Sequence, residues 1–253
     1  MSLCLLAIFK NEAHILKEWI EHYIKEGVDK FFLVNNNSSD NFYEVLLPYI
    51  IMGIVTLNND ERYYSQTIIY NDYLHECKQY TWTIVCDLDE FIYSRRGFNS
   101  IKDFLNSLPN DVSQVCIPWK MYGSNGYDSY DKPQPESVIQ SFTKRQHNNG
   151  LVNNKSIVRT EFLASFDLHE QNVYGGRQYN EPEHRFFMTI NEEILQNSCL
   201  HLNHYAIQSF EWFMRVKATR GDNTTSHNVR NEGYFRAYDR NDIEDLELAH
   251  KSY

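Results

Sequence analysis

The chain has 253 residues, 42% of them hydrophobic and 15% aromatic, enough to bury a large core and too many for a disordered chain. Its 24 basic and 34 acidic residues leave a net charge of -10, which argues against a nucleic-acid backbone as a general partner. Five scattered cysteines without a Cys-x-x-Cys pair argue against structural zinc or a disulfide framework, and fit buried free thiols in a reducing compartment.

Residues 1–9 are apolar but carry no basic lead and no cleavage site, so they read as a first strand over residues 3–9 and not as a signal. No stretch approaches the roughly 20 apolar residues of a membrane span. The expectation is a soluble, cytoplasmic chain with no transmembrane segment. After Lys10-Asn11-Glu12, apolar residues at Leu16, Trp19, Ile20, Tyr23 and Ile24 recur at helical spacing, and Gly27 stands where a left-handed cap closes a helix. Residues 30–35 read as the next strand. The polar run Asn36-Asn37-Ser38-Ser39-Asp40 then supplies N-cap residues for a short helix over 43–47. Residues 54–57 are a third strand, and Ser65 caps a helix with Ile69, Tyr73, Leu74 and Cys77 as its stripe. Strand and helix thus alternate through the first ninety residues, the pattern of a parallel sheet covered on both faces.

The informative stretch follows: Thr81-Trp82-Thr83-Ile84-Val85-Cys86-Asp87-Leu88-Asp89-Glu90-Phe91. An apolar run without alternation is a buried strand, and it ends in carboxylates. In extended backbone, residues two apart point the same way, so Asp87 and Asp89 project together with Leu88 turned back. Paired carboxylates repel unless a cation lies between them, and Mg2+ or Mn2+ is commonly shared between carboxylates and substrate phosphates. Open α/β sheets bind ligands beyond the carboxyl ends of their strands. A solvated turn or helix cap is the ordinary alternative for such a triplet, as it is for Asn11, Glu12 and Asp40 at the other strand ends.

Beyond Phe91, residues 100–108 form a helix stopped by Pro109, and residues 114–119 a strand. The loop 119–128 carries Trp119, Tyr122, Gly123, Gly126 and Tyr127, closing on Asp128. It suits a sugar ring, whose C–H face packs on aromatic rings, or it is a glycine turn beside core aromatics. Residues 148–154 read as a polar turn, 155–159 as a strand, and 174–184 as a mobile loop. His204 precedes a helix that Ser209 caps, with Phe210, Phe213 and Met214 inward and Arg220-Gly221 at its end. Asp239, Asp242, Glu244, Asp245 and Glu247 look like a solvated terminal face. The architecture expected is one domain over 1–253 with a mostly parallel central sheet flanked by helices. Its nucleotide-sugar half spans 1–92, and a more irregular α+β acceptor half spans 93–253.

Taken together, the chain resembles glycosyltransferases of the family-2-like and family-92 group, which have a nucleotide-sugar-binding Rossmann-like fold. The resemblance rests on Lys10-Asn11-Glu12 with Glu18-Trp19 and His22-Tyr23, on Asn37-Ser38-Ser39-Asp40, on Gln66 with Tyr70-Asn71-Asp72, and on Asp87-Leu88-Asp89-Glu90-Phe91. It continues through Trp119 with Gly123-Ser124-Asn125-Gly126, Lys155-Ser156-Ile157-Val158-Arg159 with His169, and His204-Tyr205 with Ser209, Glu211, Lys217, Arg220 and Gly221. Residues 174–199 and the acidic tail match nothing in it. The resemblance implies transfer of a sugar from a nucleoside diphosphate, of which UDP is the family-level expectation, to a glycan, glycoprotein or glycolipid hydroxyl, with inversion. It implies Mn2+ or Mg2+ held by Asp87, Asp89 and His204, although His204 reads equally well as a core histidine. It implies Asn11, Glu12, Asp40, Asn71, Asp87 and Lys155 on the nucleotide sugar, and Trp119, Gly123, His169 and Arg220 on the acceptor or its sugar. An inverting enzyme needs a carboxylate to take the acceptor's proton. Asp128 is the first candidate, with Glu181, Glu183 and Asp222 open. Two other classes stand beside this one: a metal-dependent hydrolase or nucleotidyltransferase, and a non-catalytic carbohydrate-binding module.

Overall fold

A computed structural model describes residues 1–129, 137–180, 189–220 and 230–252. Its first third follows the predicted alternation: β1 (Leu3–Phe9), α1 (Ala13–Lys25), β2 (Lys30–Asn35), α2 (Phe42–Ile51), β3 (Val55–Asn59), α3 (Gln66–Asp72) and β4 (Trp82–Val85). β2 and β4 flank β1 in parallel, and β3 lies parallel to β2. β5 (Glu90–Ser94), β6 (Val112–Met121), β7 (Asn154–Arg159), β8 (Arg177–Asn180) and β9 (Leu200–His204) complete the sheet. The order is β3-β2-β1-β4-β7-β6-β9-β5, with β8 paired to β6. β7 runs antiparallel to both β4 and β6, β9 runs parallel to β6, and β5 antiparallel to β9. This is the mostly parallel α/β sheet expected, with one reversed strand, β7, inserted at its centre and another, β5, at its edge.

β1 shows why its run is apolar throughout. Leu3, Leu5 and Ala7 enter the core under α1, with Trp19 and Ile20, whereas Cys4 and Leu6 enter a second cluster with Tyr70, Cys77 and Phe166. Alternate residues meet opposite layers, and both layers are covered. Gly27 ends α1 at φ +94°, and a Cβ there would stand 2.5 Å from the Lys102 Cβ. Ser100 and Ser209 cap the helices Ile101–Ser107 and Phe210–Arg215, accepting the N–H of Asp103 and Trp212.

Several expectations are corrected. The stripe expected after Ser65 is split at Tyr73 into α3 and a short helix Leu74–Cys77, and the Ser65 hydroxyl donates to the Tyr63 carbonyl instead of capping. Residues 148–154 contain a strand, Asn149–Leu151, paired with Thr189–Asn191. The first part of the predicted mobile loop is β8, and residues 181–184 lie outside the described residues. In the helix Phe210–Arg215, Met214 is exposed and Trp212 is the buried partner of Phe213. The acidic tail is not a uniformly solvated face. Asp245 Oδ2 accepts from Lys120 Nζ at 2.9 Å and Arg145 Nε at 2.6 Å, and Glu247 takes Arg95 Nε at 2.7 Å. Composition reports that these residues are charged, but only packing brings buried cations to them.

Candidate active site

β1, β2 and β4 are parallel, so the loops leaving their carboxyl ends meet on one rim. There Phe9, Lys10, Glu12, Asn36 and Asp87 line one cleft with Arg62, Tyr64 and Gln66, and Lys217, Arg220 and Arg230 close it from the second half. Five cationic side chains around two carboxylates suit an anionic ligand.

The carboxylate stretch departs from the extended geometry expected of it. β4 ends at Val85, and the Glu90 N–H donates to the Asp87 carbonyl at 3.1 Å, so Asp87, Leu88 and Asp89 form a tight turn. The turn is held from beneath, since Trp19 Nε1 and Tyr23 OH from α1 each donate to the Glu90 carbonyl at 3.0 Å, and Glu90 Oε2 accepts the Asp87 N–H at 2.9 Å. Asp87 and Asp89 therefore take different partners. Asp87, its side chain 35% exposed, accepts from Gln66 Nε2 at 3.1 Å and Lys155 Nζ at 3.2 Å. Asp89 is buried, with Oδ2 on Lys217 Nζ and Oδ1 at 3.5 Å from His204 Nε2. Burial pushes both carboxyls up, but Lys155 for Asp87, and Lys217 with His204 for Asp89, outweigh it and hold both below the usual range. Burial lifts the carboxyl of Glu90 to about 7 against the pull of Lys155.

Sheet order explains these meetings. β5 and β9 pair with Glu90 opposite His204, which sets the imidazole beside the turn. β9 also pairs with β6, and the Trp119 indole lies 4.3 Å from the His204 ring. β7 runs antiparallel to β4, placing Lys155 two positions beyond the Ile157–Ile84 pair. Lys155 is buried and bridges Asp87 to the Leu168 carbonyl, at 3.0 Å.

The remaining candidates fall into three groups. Glu12 and Arg220 form an ion pair at the cleft, with Arg220 also donating to the Asn11 carbonyl at 3.0 Å; burial raises the Glu12 carboxyl although Arg220 opposes it. Asn11 (φ +53°) accepts the Ser39 N–H at 2.7 Å. Asp40 does not cap the helix after it; its Oδ2 accepts the Ala13 N–H at 2.8 Å, its buried Oδ1 lacks a partner, and it lines another pocket with Asn11 and His14.

Trp119 and His169 line a separate cavity of about 960 Å³ with Gln146, Asn153, Gln178 and Tyr238. Asn71, Gly123 and Asp128 are not brought to either place. The Asn71 amide is engaged with the Thr67 and Phe166 backbone, and a Cβ on Gly123 would stand 2.5 Å from the Arg240 carbonyl, so that glycine admits the C-terminal segment. Asp128 is exposed and its carbonyl accepts the Glu211 N–H at 3.0 Å. Glu181, Glu183 and Asp222 lie outside the described residues. Lys217, named in the resemblance but given no role there, is the residue whose part sequence reasoning missed. Nothing in its surroundings along the chain marks it, because its partner is 128 positions away.

Among the described residues no group of three or more His, Cys, Asp or Glu side chains is gathered to hold a metal ion, so Asp87, Asp89 and His204 do not form the expected ligand set; the residues fit a divalent cation in one respect. Asp89 Oδ1 is buried, has no hydrogen-bond partner, and faces an imidazole nitrogen. Carboxylate and imidazole suit Mn2+, and one or two protein ligands with substrate phosphates are a usual complement. No helix among the described residues is long and apolar enough to cross a membrane.

Comparison with known proteins agrees with the resemblance. A plant glycosyltransferase family 92 protein, At1g27200 of Arabidopsis thaliana, is 27% identical over 229 residues, covering 84% of this chain and 36% of that protein. The galactan beta-1,4-galactosyltransferase GALS1 of the same plant is 31% identical over 115 residues, covering 41% of this chain and 23% of its own. The chain thus spans about a third or less of these relatives. Among solved structures, GalNAc-T7 with UDP, GalNAc and Mn2+ matches with a TM-score of 0.47 at 12% identity, covering 81% of this chain and 44% of that one. The profile of glycosyltransferase family 92 matches residues 1–246, and the chain belongs to that family.

Proposed function

We propose that this chain transfers a sugar, with inversion, from a nucleoside diphosphate, UDP first among them, to a glycan hydroxyl. The observation that carries this is the turn Asp87–Glu90 at the carboxyl end of a parallel strand, facing a cleft ringed by Lys10, Arg62, Lys217, Arg220 and Arg230. In this reading residues 1–92 supply most of the donor site and residues 93–253 the acceptor site. Asp89 and His204 would hold Mn2+ or Mg2+, which supplies Lewis-acid neutralisation of a leaving diphosphate. Asp87, kept ionised by Lys155, hydrogen-bonds the donor, and Lys217 and Arg220 bring positive charge to the phosphates. Each of those two cations is paired with a buried carboxylate here and exchanges part of that contact for phosphate oxygen. The cavity containing Trp119 receives the acceptor, its amides and aromatic rings suiting hydroxyls and C–H faces.

The test is a thermal-shift screen of nucleoside diphosphates and their sugars with Mn2+, Mg2+ and chelator, starting from UDP-galactose because a relative is a galactosyltransferase. A ligand at a hundred times its Kd stabilises the folded state by about 2.7 kcal/mol. Stabilisation by one nucleotide family, lost in Asp89→Asn and diminished in Lys217→Met, is the expected result. Folded protein that no nucleotide stabilises would overturn the reading.

A further inference from the structure

The cavity beside Trp119 is walled on one side by residues 167–171, and that segment is held more firmly than a surface loop requires. Buried Lys155 Nζ donates to the Leu168 carbonyl at 3.0 Å, and buried Ser156 Oγ to the His169 carbonyl at 2.9 Å. Buried Gln114 closes a two-way pair with the backbone of Gln171, accepting its N–H at 3.0 Å and donating to its carbonyl at 3.1 Å. Three core side chains thus anchor a five-residue stretch, and the side chain this fixes in the cavity wall is His169.

The ring of His169 is held in one tautomer. Its Nδ1 lies 2.9 Å from the carbonyl oxygen of Asn154. A carbonyl only accepts, so Nδ1 carries a proton, and the tautomer this selects has its lone pair on Nε2. No described residue hydrogen-bonds Nε2, and it is not among the buried unpartnered atoms. The ring packs edge-on against Trp119 at 5.4 Å, and the same indole meets His204 at 4.3 Å. Trp119 therefore contacts both His169 and the histidine of the pair Asp89–His204.

We infer that His169 is the general base of the transfer, a role the sequence had pointed toward Asp128. This rests on the inverting sugar-transfer reading above. The acceptor hydroxyl gives its proton to His169 Nε2, and its oxygen bonds to the anomeric carbon. The bond from that carbon to the diphosphate oxygen breaks, with its electron pair leaving on the diphosphate. The Asn154 carbonyl stabilises the imidazolium through the Nδ1–H that it already accepts. Asp167 and Glu170 share the cavity wall but are engaged locally. The Asp167 carboxylate accepts the Leu168 N–H at 2.7 Å, and Glu170 accepts from Asn154 Nδ2 at 2.9 Å.

Two measurements test this. Long-range proton–nitrogen correlation spectra of the 15N-histidine protein, assigned with His169→Gln, are expected to show the ring in its Nδ1-protonated form. An Nε2-protonated ring overturns the proposal whatever the acceptor proves to be. Transfer from UDP-galactose to galacto-oligosaccharide is then compared between parent, His169→Ala and His169→Gln. Loss of a general base lowers kcat by about 10²–10⁴-fold, and added imidazole should restore part of it in His169→Ala, with thermal stabilisation by UDP unchanged in both variants. A rise in KM alone, or retained kcat in His169→Ala while Glu170→Gln or Asp167→Asn loses it, overturns the assignment while leaving sugar transfer intact. Parent protein that neither binds UDP nor transfers sugar would sink the transfer reading and the base with it.

Discussion

Asp245→Asn tests whether the acidic tail is a solvated face or a fastening. Asp245 is 10% exposed and accepts from Lys120, 1% exposed, at 2.9 Å, and from Arg145, 8% exposed, at 2.6 Å. The amide keeps the shape and removes the charge, leaving two buried cations against Glu192 at 2.7 Å from Arg145 and Glu247 at 3.9 Å from Lys120. Removing one partner of a buried pair costs about 3–5 kcal/mol. Glu244→Gln, an exposed change of the same charge in the same segment, should stay within about 0.5 kcal/mol. The pH dependence follows from Lys120, which burial lowers to about 8 while Asp245 pulls the other way. Without Asp245 the folded-state value falls further, so the variant's Lys120 sheds its proton earlier as pH rises. The stability gap between parent and variant therefore narrows toward pH 8. Above that, Lys120 is neutral in both folded states and Arg145 alone sets the gap. Urea denaturation of the three proteins at pH 5.5 and pH 8.5 measures this. A loss below about 1 kcal/mol at pH 5.5, or a gap no smaller at pH 8.5, would refute the buried-fastening argument.

Three further outcomes follow from the geometry. Asn71→Ala unties the Phe166 backbone from α3 and should cost about 1–3 kcal/mol per group left unsatisfied, with nucleotide affinity unchanged by titration calorimetry; a tenfold weaker Kd at unchanged stability would make Asn71 a ligand after all. Gly123→Ala drives a Cβ toward the Arg240 carbonyl, 2.5 Å away, and should cost about 1–3 kcal/mol in denaturant melts, again without a change in donor affinity. Lys155→Met leaves Asp87 and Glu90 without their shared ammonium and frees the Leu168 carbonyl. It should weaken UDP binding and lower kcat together, where an exposed lysine would change neither.

Much of the donor half was legible because local pattern and global role agree there. An apolar run with both layers covered has no alternation, and β1, β2 and β4 carry that signature. The face of α1 is written in Leu16, Trp19, Ile20 and Tyr23, all buried. In the second half, Ser209 acts as the cap expected of it because capping is a bond to an N–H three residues on. Where a residue acts locally but its neighbours are distant, the reading slipped. Asp40 looked like a cap for α2 and instead serves the start of α1, 27 positions earlier. The carboxylates looked like an extended pair and instead form a turn, because Trp19 and Tyr23 hold the Glu90 carbonyl from below.

The sequence by itself determined the family, the strand–helix alternation, and the rim on which polar residues gather, since periodicity and strand direction are properties of short segments. Only the tertiary structure decided which cation answers which carboxylate. Asp87 meets Lys155 across 68 positions, Asp89 meets Lys217 across 128, and Asp245 meets Lys120 across 125. The first of these pairings depends on β7 entering the sheet antiparallel between β4 and β6. Hydrophobic patterning says that a strand is buried, but the order in which buried strands lie side by side is set by packing the whole chain at once.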